Sequence, residues 1–227
     1  MHYQKDFVFE EKFENNIKDI LNLYSFYPNL QKFKNYYNVL VLGRTSVGKS
    51  TLINSILELN PKNEAKVGFG RPITMEIRKY FNQNNEKINF KLFDSRGIEP
   101  SNYNIKNASD DIINFITEKN KSQNPNEYIH CIWFCITGSS FLKEEEDYIN
   151  ILREVYSSDE YLPVIIVHTK AINEEEIENM EKLLISEKKL TDCYIPIVAK
   201  DIKIGKSAII EKKGLDELIN KKNKKKN

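Results

Sequence analysis

The sequence predicts an α/β fold in which helices flank a mainly parallel β-sheet with one antiparallel edge strand. Short apolar runs typical of buried strands, such as Asn38–Gly43 and Ile129–Ile136, alternate along the chain with segments of helical spacing. This alternation predicts parallel pairing, because parallel neighbours need a crossover between them. Two further strand-like segments, Met75–Phe81 and Ile88–Phe93, are joined only by the polar stretch Asn82–Lys87, which predicts the antiparallel pair.

The chain opens with a segment that has the pattern of an amphipathic helix. Over residues 6–24 apolar side chains recur at helical spacing, and Pro28 ends the segment. The apolar positions are Phe13, Ile17, Ile20, Leu21 and Tyr24. We expect residues 1–35 to form an N-terminal helical arm packed on the main domain. A helix that binds a partner or touches a membrane is the alternative, although its polar face mixes both charges instead of presenting a basic stripe.

The main domain is expected to span residues 36–220 and to contain strands and helices of ordinary length. After the first strand come a helix at Lys49–Leu59, a polar loop at 60–74, the antiparallel pair, a loop at 95–105 and a helix at Ile105–Asn120. After the strand at Ile129–Ile136, we expect a helix at Glu144–Tyr156, a strand at Pro163–His168, a helix from Glu174 to about Lys188, a strand at Tyr194–Val198 and a closing helix that begins at Leu215–Ile219.

The charge is nearly balanced over the chain but uneven along it. The 227 residues carry a net charge of +1, with 34 Lys+Arg against 33 Asp+Glu. Residues 221–227 hold five of the 34 basic residues, so the remainder has 29 basic against 33 acidic residues, a net of −4. This balance excludes a general attraction to nucleic acid or anionic membrane. The lysine-rich tail is expected to be disordered; it either contacts lipid or RNA, remains solvated, or is the cut end of a longer protein.

Two cysteines, Cys131 and Cys135, are expected to be buried free thiols, and His130 and His168 are expected to pack in the core or at the edge of the sheet. Cys131, Cys135 and Cys193 form an odd set without a CxxC pair, and the first two lie in an apolar run. His130 and His168 also lie in strand-like segments. The charged N-terminus lacks a signal-peptide pattern, and no apolar run approaches the ~20 residues of a membrane-spanning helix. These features favour a reducing, cytoplasmic location.

The strongest motif is a glycine-rich loop between the first strand and the helix that follows it. Residues 43–50 read Gly-Arg-Thr-Ser-Val-Gly-Lys-Ser, a Gly-x4-Gly-Lys-Ser pattern in the strand-to-helix context that a phosphate-binding loop requires. Its glycines let successive N–H groups point at phosphate oxygens, and the helix N-terminus adds a positive dipole end. The residues expected to bind the phosphates are Gly43, Arg44, Thr45, Ser46, Val47, Gly48, Lys49, Ser50 and Thr51.

A magnesium site is predicted beside this loop. The Ser50 hydroxyl is a suitable ligand for this hard cation, and Asp94 follows a strand at the sheet edge where ligands collect. Asp94 begins the sequence Asp-Ser-Arg-Gly, whose Gly97 N–H can face the γ-phosphate. Thr74 ends the loop at 60–74 and is expected either to bind magnesium and sense the γ-phosphate or simply to start the next strand.

Taken in order, the phosphate loop, Thr74, the Asp94–Gly97 motif and Thr169-Lys170 resemble the GTPase domains of the translation-factor-related (TRAFAC) class. The stretches Val67–Thr74 and Asp94–Glu99 are most similar to Era-like and interferon-inducible-type domains, a 50S ribosome-binding GTPase-like group. The resemblance covers about residues 36–220. It implies a three-layer αβα P-loop GTPase fold, binding of GTP and GDP with Mg²⁺, and two switch loops at about 60–74 and 95–105.

The resemblance also implies which residues meet the guanine base. Thr169 and Lys170 match the start of the family's Asn/Thr-Lys-x-Asp motif, and Ala199-Lys200 matches its last base-contacting loop. Ile172 stands where the family has an aspartate that accepts hydrogen bonds from guanine N1 and N2, and isoleucine cannot accept them. Asn173 and Asp201 are two nearby groups that could substitute.

The resemblance implies hydrolysis of GTP, with Lys49, Thr74 and Gly97 as the catalytic residues. Ile98 stands where many small GTPases have a water-orienting glutamine, so a slow rate supported by charge neutralisation is expected, accelerated by a partner or a second copy. Three arginines either contact phosphate charge or anchor loops: Arg44, Arg71 and Arg96.

The leading hypothesis is a GTP-binding switch protein with slow hydrolysis. The alternatives are a non-hydrolysing nucleotide-binding module that acts through protein partners, and a P-loop protein that uses ATP. The expected partners of the protein are the nucleotide and either another protein or a second copy bound through the switch loops. We expect the protein to be cytoplasmic, and peripheral association with a membrane is the alternative.

Overall fold

The computed structural model describes residues 37–59, 65, 77–82, 90–95, 97, 105–155, 162–191, 193–204 and 208–215. Several predicted features lie outside these residues: the N-terminal arm, most of the loops at 60–74 and 95–105 with Arg71, Thr74, Arg96 and Ile98, the closing helix beyond Leu215 and the lysine-rich tail.

A six-stranded sheet forms the centre of the molecule. Its strands are β1 (Tyr37–Gly43), β2 (Ile77–Phe81), β3 (Phe90–Ser95), β4 (Cys131–Thr137), β5 (Val164–Thr169) and β6 (Tyr194–Ile197). They lie in the order β2-β3-β1-β4-β5-β6, and every pairing is parallel except that of β2 with β3. The mainly parallel sheet with one antiparallel edge strand is therefore confirmed. Because β1 lies between β3 and β4, the loops after these three strands open at one edge of the sheet.

Helices cover both faces of the sheet, as the amphipathic patterns predict. They are α1 (Lys49–Leu57), α2 (Ile105–Asn120), α3 (Lys143–Val155) and α4 (Glu174–Glu181). Helix α1 packs on one face, where Leu52 and Ile56 join Trp133 in a buried cluster. Helices α2, α3 and α4 pack on the other face, where Ile112 and Tyr148 join a second cluster. The three layers follow from the two faces of each strand, since consecutive side chains alternate between the clusters.

The burial expected of Cys131, Cys135, His130 and His168 is confirmed. All three thiols are buried and free, and burial raises the pKa of Cys135 to about 12. His130 and His168 are 4% and 1% exposed, and the Nδ1 atom of His130 accepts a hydrogen bond from the Asn38 N–H at 2.9 Å. These groups are therefore part of the buried interior.

Several boundaries differ from the sequence prediction. Strand β3 extends to Ser95, because Asp94 and Ser95 pair with Arg78 and Ile77 of β2. Helix α4 ends at Glu181 and continues as a π-helical segment at Lys182–Glu187.

A small antiparallel hairpin was missed by the sequence reasoning. It pairs β7 (Ile202–Ile204) with β8 (Ala208–Ile210) after the last strand of the main sheet. Each strand has only three residues, which is too short for a period of two to stand out. Among the described residues, no helix has the length and apolar character needed to cross a membrane.

Candidate functional site

The loop at residues 43–48 leaves β1 and turns directly into α1, and two of its glycines are sterically required. Gly43 has φ +135°, and a Cβ there would overlap the carbonyl oxygen of Cys135 on the neighbouring strand. Gly48 has φ +105°, where side chains are rarely tolerated. Ser46 also adopts a positive φ of 66°. The chain thus curls tightly between strand and helix, as a loop whose N–H groups converge on an anion must.

Lys49 lies folded back over this loop. Its Nζ atom donates to the carbonyl oxygens of Gly43 at 2.9 Å and Arg44 at 2.8 Å, and the residue is only 7% exposed. Burial lowers the pKa of Lys49, while the charge of Asp94 partly opposes the shift. An ammonium group has three donors, so these two bonds leave one for an anion. The cation is thereby fixed in position at the floor of the loop.

The N-terminus of α1 is arranged differently from that of α4. Its N-cap is Gly48, which offers no side-chain acceptor for the N–H groups of the first turn. In α4 the side chain of Asn173 accepts from the N–H groups of Glu175 and Glu176. Since the first turn of any helix has unpaired N–H groups, the uncapped start of α1 is suited to an anion.

Asp94 and Ser50 approach each other beside Lys49. The Ser50 hydroxyl donates to Oδ2 of Asp94 at 3.3 Å, and within the described part of the chain Oδ1 of Asp94 is buried without a hydrogen-bond partner. Burial raises the pKa of Asp94, whereas Lys49, the Ser50 hydrogen bond and Arg78 act to lower it. A buried carboxylate oxygen without a donor is costly unless a cation or donor meets it.

These two oxygen groups fit a hard divalent cation. A carboxylate and a hydroxyl are the ligands that Mg²⁺ prefers, and it normally keeps phosphate and water oxygens as its other ligands. The described residues contain no group of three or more His, Cys, Asp or Glu side chains that could hold a metal alone. A cation at Asp94 and Ser50 would therefore depend on a phosphate-bearing ligand.

Gly97 is brought against the phosphate loop. A Cβ at Gly97 would overlap the backbone N, the Cα and the Oγ1 atoms of Thr45, so only glycine permits this approach. Gly97 therefore lies against the loop, its contact with a γ-phosphate stays a prediction, and Thr74 lies outside the described residues. The remaining predicted phosphate contact, Thr51, lies in the first turn of α1 and is half-buried.

The end of β5 closes the other side of the loop. Oγ1 of Thr169 hydrogen-bonds the carbonyl oxygen of Val47, and Nζ of Lys170 donates to the carbonyl oxygen of Ser46 at 3.3 Å. Lys170 has a positive φ of 55°, which turns the chain sharply after the strand. Ala199 and Lys200 follow β6 at the same sheet edge, with Ala199 8% exposed and Lys200 exposed. The predicted base-contacting segments are therefore next to the phosphate loop and next to each other.

The sequence reasoning missed the partner of Arg44. Its Nε atom donates to Oε1 of Glu145 at 2.9 Å, and Glu145 is 3% exposed on the first turn of α3. Oε2 of Glu145 accepts from the N–H of Leu142 at 2.9 Å, so one carboxylate caps the helix and anchors the loop. Arg44 therefore anchors the loop, which is one of the two roles considered for it; the other was contact with phosphate charge. The spacing of Leu142 and Glu145 was the available signal, since a glutamate at the third helical position often caps.

Comparison with known proteins gives a family match and two distant structural neighbours. The sequence profile of the family described as 50S ribosome-binding GTPase matches residues 38–200. We found no significant match among curated proteins. The septin GTPase domain from Chlamydomonas reinhardtii is 16% identical, covers 66% of this chain and has a TM-score of 0.42. This chain covers 59% of the length of that domain.

The second neighbour is the crystal structure of a probable GTP-binding protein engB. It is 19% identical, with 71% of this chain and 88% of that chain covered and a TM-score of 0.46. Both structural similarities are too distant for anything about ligand or activity to follow from them. The family match spans the sheet from β1 to the end of β6, together with every described residue of the phosphate site.

Proposed function

The chain belongs to the 50S ribosome-binding GTPase family, and we propose that it binds GTP with Mg²⁺ and hydrolyses it slowly to act as a nucleotide-controlled switch. The observation that best supports this proposal is the arrangement of Lys49 and Asp94. A buried ammonium group bonded to two loop carbonyls lies beside a buried carboxylate with an unpaired oxygen. Triphosphate oxygens and a divalent cation are the complementary charges for such a site.

The phosphate end of the proposed site is made by residues 43–51. The loop N–H groups and the uncapped start of α1 would surround the β-phosphate, with Lys49 donating to the β- and γ-oxygens. Ser50 and Asp94 would hold Mg²⁺, which neutralises charge on the phosphate oxygens. Gly97, packed against Thr45, supplies a backbone N–H at the γ-phosphate side.

Slow hydrolysis follows from what the chain itself supplies. Phosphoryl transfer depends mainly on positioning and on neutralising the oxygens of the transferred group, which Lys49 and the loop N–H groups provide. The side chain directly after Gly97 is Ile98, which cannot orient a water molecule. We therefore propose a low intrinsic rate that a protein partner, or a second copy bound through the switch loops, raises.

The second candidate function is a nucleotide-binding module without hydrolysis, and Ile98 is the observation that favours it. In either case the chain acts through what its loops contact when triphosphate is bound. We place it in the cytoplasm or at a membrane surface, with the lysine-rich tail at 221–227 as a candidate contact for lipid or RNA.

The test is a titration of purified protein with GTP, ATP and XTP, with and without Mg²⁺, and with phosphate release followed in parallel. We expect GTP to bind more tightly than ATP, Mg²⁺ to tighten it, and phosphate to appear slowly. Equal or tighter binding of ATP would refute the assignment to GTP. Tight binding of GTP without release above background would establish the non-hydrolysing module instead.

A matched pair of variants tests the cation site. Asp94→Asn keeps the size of the side chain but removes its charge, so Mg²⁺ should no longer tighten GTP binding. Asp201→Asn makes the same change at an exposed carboxylate that bonds the Lys212 N–H, and should leave the Mg²⁺ effect intact. An undiminished Mg²⁺ effect in Asp94→Asn would remove Asp94 from the site.

A further inference from the structure

We propose that the base end of the site does not sense the 2-amino group of guanine, so that the protein binds GTP and inosine triphosphate with nearly equal affinity. The inference rests on the proposed occupation of the phosphate loop by a nucleoside triphosphate. It concerns Ile172, an apolar residue that is 42% exposed in the segment between β5 and α4. Ile172 is one of two large hydrophobic residues exposed among the described residues, the other being Ile209.

The position of this segment is set by its contacts with the phosphate loop. Thr169 hydrogen-bonds the Val47 carbonyl, and a Cβ on Gly48 would lie 3.3 Å from Oγ1 of Thr169. Lys170 reaches the Ser46 carbonyl. Because Thr169 and Lys170 border the loop, we take the base of a nucleotide bound at residues 43–50 to lie beside this segment. Ile172 is the first exposed residue after Lys170.

The hydrogen-bond donors on the purine edge determine which bases a residue at position 172 can distinguish. Guanine presents an N1–H donor and a 2-amino donor, whereas hypoxanthine has the N1–H but no 2-amino group. A carboxylate near both donors would discriminate, because the analogue lacking the amino group leaves an acceptor unpaired. An isoleucine side chain has no acceptor and gains nothing from the amino group.

The two nearby acceptors are already engaged. Oδ1 of Asn173 accepts from the N–H groups of Glu175 at 2.9 Å and Glu176 at 3.3 Å, where it caps α4. Oδ1 of Asp201 accepts from the N–H of Lys212 at 2.8 Å. Turning Asn173 toward a base would remove the cap of α4, and the second oxygen of Asp201 belongs to an exposed side chain, where water competes for the same donors.

The remaining carboxylates of this segment lie on α4 itself. Glu174 and Glu175 are both exposed on its first turn, where negative charge is favoured by the helix dipole. Solvated side chains of this kind discriminate weakly, because water competes for the same donors. The structure thus provides an apolar surface where a site that senses the 2-amino group would present a fixed acceptor.

The experiment measures the affinities of GTP and inosine triphosphate by competition against a fluorescent GDP analogue in the presence of Mg²⁺. For the wild-type chain we expect a ratio within about threefold. For Ile172→Asp, a charged acceptor should favour GTP over inosine triphosphate by between about tenfold and about 100-fold. Ile209→Asp is the matched control, since it adds the same charge at an exposed isoleucine of the hairpin and should leave the ratio unchanged.

The outcomes separate this inference from the proposed function. If the wild-type chain prefers GTP over inosine triphosphate by more than tenfold, the inference is wrong while GTP binding stands. If Ile172→Asp binds GTP without any change in the ratio, Ile172 does not face the base. If neither triphosphate competes with the GDP analogue, the proposed function fails first, and the inference fails with it.

Discussion

Replacing Lys49 by methionine should separate nucleotide affinity from folding stability. Methionine has a similar length and an apolar end, so it keeps most of the packing of the lysine stem while removing the ammonium group. In the folded protein that group makes two hydrogen bonds, to Gly43 and Arg44, and the residue is only 7% exposed. Losing these bonds lowers the free energy of unfolding, whereas removing a buried charge raises it, because the charged group no longer has to be desolvated on folding.

The magnitudes follow from this balance. Two lost hydrogen bonds cost about 1–3 kcal/mol, and part of this is recovered because a buried charge has been removed, so the free energy of unfolding should change by less than about 2 kcal/mol. Nucleotide binding has no such compensation. Losing the one charge-assisted bond that Lys49 has left for phosphate costs about 1.5–3 kcal/mol, which weakens triphosphate binding by between about tenfold and about 150-fold.

The assay pairs isothermal titration with GTP and Mg²⁺ with urea unfolding of the same preparations. Lys143→Met is the matched control, because it removes an ammonium group from an exposed ion pair with Asp147 outside the site. The reasoning would be refuted if Lys49→Met bound GTP within threefold of the wild-type protein while unfolding normally. A large loss of stability with unchanged affinity in the folded fraction would mean that Lys49 only holds the loop together.

Two further predictions concern the surroundings of the site. Glu145→Ala removes both the anchor of Arg44 and the cap at Leu142, so we expect the free energy of unfolding in urea to fall by about 2–4 kcal/mol and GTP binding to weaken. Asp147→Ala on the same helix is the control and should leave both quantities near the wild-type values. Full GTP affinity in Glu145→Ala would contradict the proposed coupling to the loop. Burial lowers the pKa of His168 from 6.5 to about 4, so between these pH values the unfolded chain binds a proton that the folded protein does not. The free energy of unfolding should therefore fall by up to about 3 kcal/mol as the pH drops from 6.5 to 4. This slope should flatten in His168→Gln when unfolding is measured across that range, and an unchanged slope would show that other groups produce it.

Much of the fold could be predicted because its signals are local and repeated. Strands β1, β4 and β5 are apolar runs that stop at turn residues, and the amphipathic helices between them fix the parallel arrangement. The hairpin of β7 and β8 was missed, because two three-residue strands bury too little surface to impose a pattern. The end of β3 was placed too early, since Asp94 and Ser95 are polar and are retained in the strand only by their pairing with β2.

The candidate site divides in the same way between local and long-range causes. By itself the sequence determined the phosphate loop, because the two glycines, Lys49 and the start of α1 lie within eight consecutive residues and both glycines adopt a positive φ that is a local property of the backbone. Only the tertiary structure decided that Glu145 anchors Arg44 and that Thr169 closes the loop at Val47, contacts between residues more than 100 positions apart.

Tertiary structure also decided the state of the acceptors near the base. Asn173 and Asp201 are equally plausible ligands in the sequence, and the fold shows both oxygens bonded to backbone N–H groups. The physical reason is that a side-chain acceptor has a limited number of lone pairs. The donors that reach them come from the first turn of α4 at Asn173 and, at Asp201, from the segment that the bridge between Val198 and Lys213 brings alongside. Local chemistry thus specifies what can bind phosphate, and the order of the strands specifies what surrounds it.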